Sequence, residues 1–435
     1  MLKNGFEPIA GAAKVVWPGG TTKIPQDTVR LDPPNISIGW VVETAWATPA
    51  LRQESRMYAQ QAIDEVNDDS FILPNTHLVL EIDERVNGND LTIEAHNDIE
   101  ARAKAAGRPL AAVLACSSSH MAAIYHPQAN VTVTQRNTGV PIVGYDTGAG
   151  VLSDSTRFPN FIRLYPPVSE TQHIYRKVAF EFGWGRSLGL ICDKHDAFST
   201  SFFDLMNGTD PTNPKNLQPP LTSAGDHGSY DTPRLGIAHA EIIDLGQKDR
   251  NSTFDALVAA IKAKDVKVFI MFGMTDFIEE IVLYGLECGI FGLDFQLMVI
   301  SGSVAPIKMD RRCLATMDGA VQILAASISP EYPGLQRASR FWSKHPPTQP
   351  PAGADTTTPF SVDGRKPRFK DASIYDSIRL AAKAIDACLK DGCRPVGHGY
   401  EEVMPYFRNA AIDGVAGPAS IKAGSNDPKV REMGR

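Results

Sequence analysis

The feature that most constrains this chain is a repeated alternation of short apolar runs with longer segments of helical period. Residues 35–42 (NISIGWVV) read as a buried strand, and in 51–67 the side chains of Leu51, Tyr58, Ala62 and Val66 fall on one helical face. A strand at 77–82, a helix at 91–106, a strand at 110–115 (LAAVLA), a helix from Met121 and a strand at 141–145 (PIVGY) continue the rhythm. Strands alternating with helices imply parallel crossovers and a sheet covered on both faces. The pattern restarts after Pro166 and Pro167: helix 171–182, strand 187–192 (SLGLIC), helix 199–206 and strand 240–245. Helix 253–263 follows, with Ser252 and Asp255 spaced as a capping box, and then strands 266–272 (VKVFIMF) and 295–300 (FQLMVI). The fold class predicted is therefore α/β, with two doubly wound Rossmann-like lobes. The helix from Ile374 carries Ile378, Ala382, Ile385 and Leu389 on one face, with Ser373 and Asp376 as its expected capping box.

Two lobes also fit the length, since 435 residues exceed what one hydrophobic core holds. Forty-three Lys and Arg stand against 50 Asp and Glu, a formal charge of −7, which argues against a nucleic acid or an anionic membrane surface as main partner. No apolar run reaches the roughly 18 residues of a bilayer span. Residues 1–34 lack either period and read as an N-terminal arm, and 1–14 lack a secretory signal's basic and apolar regions. The expectation is a cytosolic protein or a piece of a longer secreted or membrane-anchored chain. Segments 207–234 and 345–368, rich in Pro, Gly and polar residues, read as long surface loops.

Several ordered motifs carry a resemblance. The stretch VPIVGYDTGAGVLSDSTRFPNFIRLYPPVSETQ, followed by FGWGRSLGLICD, resembles the ligand-binding region of the atrial natriuretic factor receptor superfamily. Leu152, Ser153, Asp154, Phe158, Pro159, Phe161, Arg163, Pro166, Gly183 and Trp184 fit its pattern. AIDEVN with ILP, YDSIRLAAKAI and the closing FRNAAIDGVAGPASI extend the likeness over about 36–425. Within the superfamily, ACSSSH, RFPNFIR and the stretch from Cys313 to Ala320 resemble the type-B metabotropic GABA receptors of family C. The resemblance implies a periplasmic-binding-protein-like clamshell with three crossings between lobes, placed near 164–168, 301–305 and 397–404. Lobe 1 would then hold 35–164 plus 305–397, and lobe 2 168–301 plus 404–430. It also implies the extracellular side of a membrane, a small amino-acid-like or carboxylate ligand, and a homo- or heterodimer through lobe 1. The runner-up is a soluble solute-binding protein of a transport system, or the sensor of a receptor cyclase.

The residues agree with a binding cleft. In open α/β sheets, ligands sit beyond the carboxyl ends of strands. Ser117, Ser118 and Ser119 follow the strand LAAVLA and precede a helix, where hydroxyls and free N–H groups suit a carboxylate; one of them alone would simply cap the helix. Tyr145, Asp146 and Thr147 follow the next strand and should face the same crevice, although Asp146 also suits a turn. Phe198 and Met274 are expected to close over the ligand from lobe 2, with Trp46 as a further contact.

Family C receptors place an acid for the ligand ammonium where this chain reads ISGSV, so an α-amino acid agonist is not expected. Catalytic motifs are wanting: GWGRSLG precedes a strand rather than joining strand to helix, and the histidines are scattered. No cofactor or metal is implied, the six cysteines showing no CxxC. Cys388 and Cys393 enclose a turn short enough to bridge, buried thiols being the alternative, whereas a Cys288–Cys313 pair is implied only by the resemblance. Cys116 should stay free unless Cys192 reaches it. Sequons at Asn35, Asn130, Asn207 and Asn251 permit glycosylation.

Overall fold

The computed structural model describes residues 35–43, 49–86, 92–115, 139–185, 187–207, 235–245, 250–273, 275–291, 295–300, 309–322, 329–345, 367, 369–395 and 400–429. The first sheet contains β1 (Asn35–Glu43), β2 (His77–Val86), β3 (Leu110–Leu114), β4 (Ile142–Gly144) and β5 (Phe161–Arg163), all parallel in the order β2-β1-β3-β4-β5. The crossovers include α1 (Pro49–Asp68) and α2 (Thr92–Ala105).

The alternation of side chains along β1 sorts them onto two cores. Ile36, Ile38, Trp40 and Val42 pack with α1, and Val41 packs on the other face with Ala95, Ile99 and Ala103 of α2. Strands buried on both faces need no polar alternation, which is why LAAVL of β3 is apolar throughout.

After β5 the chain crosses to the second lobe and enters α3 (Val168–Glu181), then β6 (Leu188–Asp193), α4 (Ala197–Asn207), β7 (Ile237–Ile243) and α5 (Arg250–Lys264). β8 (Val268–Phe272), α6 (Thr275–Glu287), β9 (Gln296–Ile300), α7 (Arg311–Thr316) and β10 (Val321–Gln322) complete this lobe. Its sheet is parallel in the order β10-β9-β8-β6-β7. Counted from the first strand of each lobe, both sheets follow one topology, in which the second strand lies outside the first and the later strands run the other way.

The chain then returns to the first lobe with α8 (Pro333–Lys344), α9 (Phe369–Lys390), α10 (Met404–Asn409) and an antiparallel hairpin of β11 (Ala411–Gly414) and β12 (Gly417–Ser420). α9 is the spine of the lobe, with Ile374, Ile378, Ala381 and Ile385 wholly buried against α1 and the sheet. A buried carboxylate ties these helices: Glu65 of α1 is 2.9 Å from Arg337 of α8 and 2.6 Å from Arg379 of α9, and it accepts from the Tyr375 hydroxyl.

Several expectations are corrected by these contacts. Residues 309–322 remain in lobe 2, because Met309 and Cys313 fill its core and β10 extends its sheet, so the return crossing follows Gln322 rather than lying at 301–305. Of the segment 404–430 expected in lobe 2, the described residues pack with lobe 1, since Phe407, Ile412, Val415 and Ile421 share its core with α8 and α9. Ser373 and Asp376 do not cap α9, which begins at Phe369; both are buried inside it, and the Asp376 carboxylate accepts from Val415 and Ala416 N–H at 2.6 and 2.9 Å. α5 begins at Arg250, ahead of Ser252, and Asp255 accepts instead from the Tyr284 hydroxyl at 2.7 Å. Cys388 and Cys393 are joined, their Cα atoms 5.0 Å apart. Cys288 and Cys313 are free: the Cys313 sulfur turns to Met317 Sδ at 3.7 Å, and Cys288 lies beside the Tyr284 hydroxyl. Cys192 is free and buried. Among the described residues, no helix is long and apolar enough to cross a membrane.

Candidate functional site

A strand order that reverses beside the first strand leaves a crevice at the carboxyl ends of β1 and β3 in one lobe and of β6 and β8 in the other. The lobes meet where the loop after β4 touches the start of the helix after β6. The loop after β4 carries Gly148, and Phe198 at the start of α4 lies directly on it: a Cβ built on Gly148 would sit 2.4 Å from the Phe198 ring. The same loop accepts, through the Gly148 carbonyl, from Val168 N–H at 2.9 Å where α3 begins.

The loop is held from below by Arg163, the last residue of β5, which is wholly buried. All five of its N–H donors are used. Nε and Nη2 bond Asp427 at 2.9 and 2.7 Å, Nη1 bonds the carbonyls of Thr147 and Ala149 at 2.9 and 2.8 Å, and Nη2 also reaches Ser153 Oγ at 2.8 Å. Burial pushes the guanidinium down in pKa and Asp427 opposes it. The neighbouring Asn426 donates to the carbonyls of Leu152, Asp154 and Phe158, so the tail after β12 is pinned under the same loop.

Above this anchor the residues expected after β4 come together. Tyr145 is buried, its ring edge-on to Trp40 at 6.4 Å. Asp146 pairs with Lys370, the second residue of α9, at 3.2 Å, and the Lys370 ammonium lies 5.9 Å from the centre of the Tyr145 ring. Burial pushes the Asp146 carboxyl up, with Lys370 opposing. Thr147 is wholly buried, and its hydroxyl has no hydrogen-bond partner among the described residues. Tyr165, beyond β5, meets Phe369 edge-on at 5.7 Å, and burial pushes its phenol up. On the lobe 2 side, Asp196 caps α4 by accepting from the N–H groups of Phe198 and Ser199 at 3.2 and 3.3 Å and from the Ser199 hydroxyl. Lys194 and His195 turn aside toward Asp244 at 3.1 and 2.7 Å.

Of the expected ligand contacts, Tyr145, Asp146, Thr147 and Phe198 thus line or support one crevice. Trp46, Ser117, Ser118, Ser119 and Met274 lie outside the described residues, as does Cys116. Sequence reasoning missed Lys370, Tyr165, Phe369 and the structural part of Arg163. Only Gly148 left a readable trace: the glycines of DTGAG after a strand mark a place where something approaches the backbone closely. Chemically the described crevice offers aromatic walls, one ammonium and buried carboxyls. No group of three or more His, Cys, Asp or Glu among the described residues is placed to hold a metal ion.

Two parallel α/β lobes whose strand ends confront each other across such a crevice define a two-lobed ligand-binding protein. The chain belongs to the family described as the receptor family ligand binding region, whose model matches residues 57–430. Among solved structures it is similar to a solute-binding protein of an ABC transporter from R. palustris, in complex with 4-hydroxybenzoate. That likeness has a TM-score of 0.58 at 14% identity, covers 91% of this chain and 90% of the other, and shows a shared fold. Among curated proteins no sequence matches significantly.

Proposed function

We propose that this chain is the ligand-sensing domain of a membrane receptor, closing its two lobes on a small carboxylate-bearing molecule. The observation that carries the reading is the contact of Phe198 on Gly148, which joins the strand ends of the two lobes beside the Asp146–Lys370 pair. A ligand that touches both lobes favours the closed arrangement by the contacts it makes only there. Family membership supports sensing as the role, and the 4-hydroxybenzoate bound by the R. palustris protein supports a carboxylate as the ligand class. The same neighbour favours a second reading, a solute-binding protein that delivers its ligand to a permease. Under the first reading, a type-B GABA-like output and a dimer through lobe 1 are what the resemblance of the sequence motifs implies.

Titration calorimetry of the purified domain against 4-hydroxybenzoate, benzoate, GABA and small amino acids tests the ligand class. Saturable binding of a carboxylate supports it, and heats no larger than dilution throughout the panel overturn it. Membrane spans encoded in the same transcript mark the receptor, and a separate permease gene beside it marks the transport protein.

A further inference from the structure

The cations near the crevice are not equivalent. Arg163 has no donor to spare, since each of its five N–H groups already meets an oxygen. Lys194 and His195 pair with Asp244 at the far side of β6, toward β7. Lys370 differs. Its ammonium carries three N–H donors, and among the described residues Asp146 is its one hydrogen-bonding or ion-pair partner. Its side chain keeps 29% of its exposure, against 14% for Asp146, so the ammonium is the open end of the pair.

Its surroundings fix where that open end sits. Phe369, the residue before it, is packed on Tyr165 at the carboxyl end of β5, and the Lys370 Nζ stands beside the Tyr145 ring at the carboxyl end of β4. Lys370 thus stands beside Tyr145 at the end of β4, whose following loop meets lobe 2 where Gly148 lies against Phe198. An ammonium with spare donors beside an aromatic residue matches an anion such as an aryl carboxylate, whose carboxylate takes a charge-assisted hydrogen bond.

We propose that Lys370 receives the carboxylate of the ligand, with Asp146 as the positioning residue that holds the ammonium at the mouth of the crevice. This rests on the carboxylate reading above and adds to it the residue that selects for charge. It places the anion at the end of β4 and the start of α9.

The test is calorimetry with matched pairs of acid and neutral amide, 4-hydroxybenzoate against 4-hydroxybenzamide and benzoate against benzamide, on wild type, Lys370→Met and Lys370→Arg. The expected result is preference of the wild type for the acid, a loss of about tenfold to a hundredfold for the acid in Lys370→Met, and no change for the amide, as befits one charge-assisted bond of about 1.5–3 kcal/mol. Lys370→Arg keeps most of the acid affinity, which guards against a folding defect in the neutral variant. If the wild type prefers the acid and Lys370→Met binds it within about twofold as well, the lysine is only a counter-ion to Asp146, and the proposal fails while the carboxylate reading stands. Equal binding of acid and amide by the wild type overturns the proposal too. Absence of binding to either member of both pairs overturns it together with the carboxylate reading.

Discussion

Burial pushes the Asp376 carboxyl up to about 7, even though Val415 and Ala416 donate hydrogen bonds that favour its charged form. The folded state therefore holds the proton more tightly than the unfolded chain, in which an aspartate titrates near 3.8. The sign follows from linkage: the stability that Asp376 contributes is present in full below about 4 and is lost as the pH rises through about 7. His96 works oppositely, because burial lowers its pKa to about 4, so its contribution is lost as the pH falls from 6.5 toward 4. Comparing wild type with Asp376→Asn isolates the first effect. Denaturation melts should show the wild type losing stability relative to the variant between about pH 4 and 7, and parallel curves would show that the carboxyl is ionised throughout. Arg163 makes a different prediction. Arg163→Met leaves Asp427 with a buried charge and strips two carbonyls of the Gly148 loop of their donor, so it should cost about 3–5 kcal/mol in urea unfolding. A loss below about 1 kcal/mol would mean that the tail carries no weight in holding the loop.

At the scale of elements, the closing hairpin is held by backbone proximity as much as by side chains. Gly334, at the start of α8, lies against the Gly414 carbonyl: a Cβ placed there would fall 2.1 Å from that oxygen. Gly334→Ala must therefore shift β11 away from α8, with an expected cost of about 1–3 kcal/mol, and unchanged stability would show that the hairpin floats on the lobe. The long elements were legible because their periods persist over many residues. β1, β3, α1 and α9 all fall within a few residues of where apolar patterning puts them. β5 and β10 were not read as strands: FIR lies inside a stretch rich in Pro and polar residues, and VQ is only two residues long. Ser373 and Asp376 misled for a physical reason. Their spacing imitates a cap, but Phe369 and Lys370 already continue the helix toward its amino end, and tertiary contacts recruit Asp376 for the hairpin. The candidate site was legible in Tyr145–Thr147, which follow β4 of lobe 1. It was illegible at Lys370, whose partner Asp146 is brought to it only by the packing of α9 on the sheet.

Under the proposed function, the whole molecule works through the relation of its lobes. Gly148 sets how closely they approach, because any side chain there meets Phe198, with Tyr165 next at 3.3 Å from the built Cβ. Gly148→Val should hold the crevice open and weaken carboxylate binding by about tenfold or more, equivalent to ~1.4 kcal/mol of closure free energy. Adding Phe198→Ala removes the obstruction and should restore part of the affinity, a coupling that independent sites do not show. The central claim is that the lobes close on a ligand. Small-angle scattering of the purified domain, recorded without ligand and at saturation with the carboxylate that calorimetry identifies, tests it most directly. A radius of gyration that falls with occupancy in the wild type and stays high in Gly148→Val is the predicted result, and a radius unchanged at full occupancy would contradict the account.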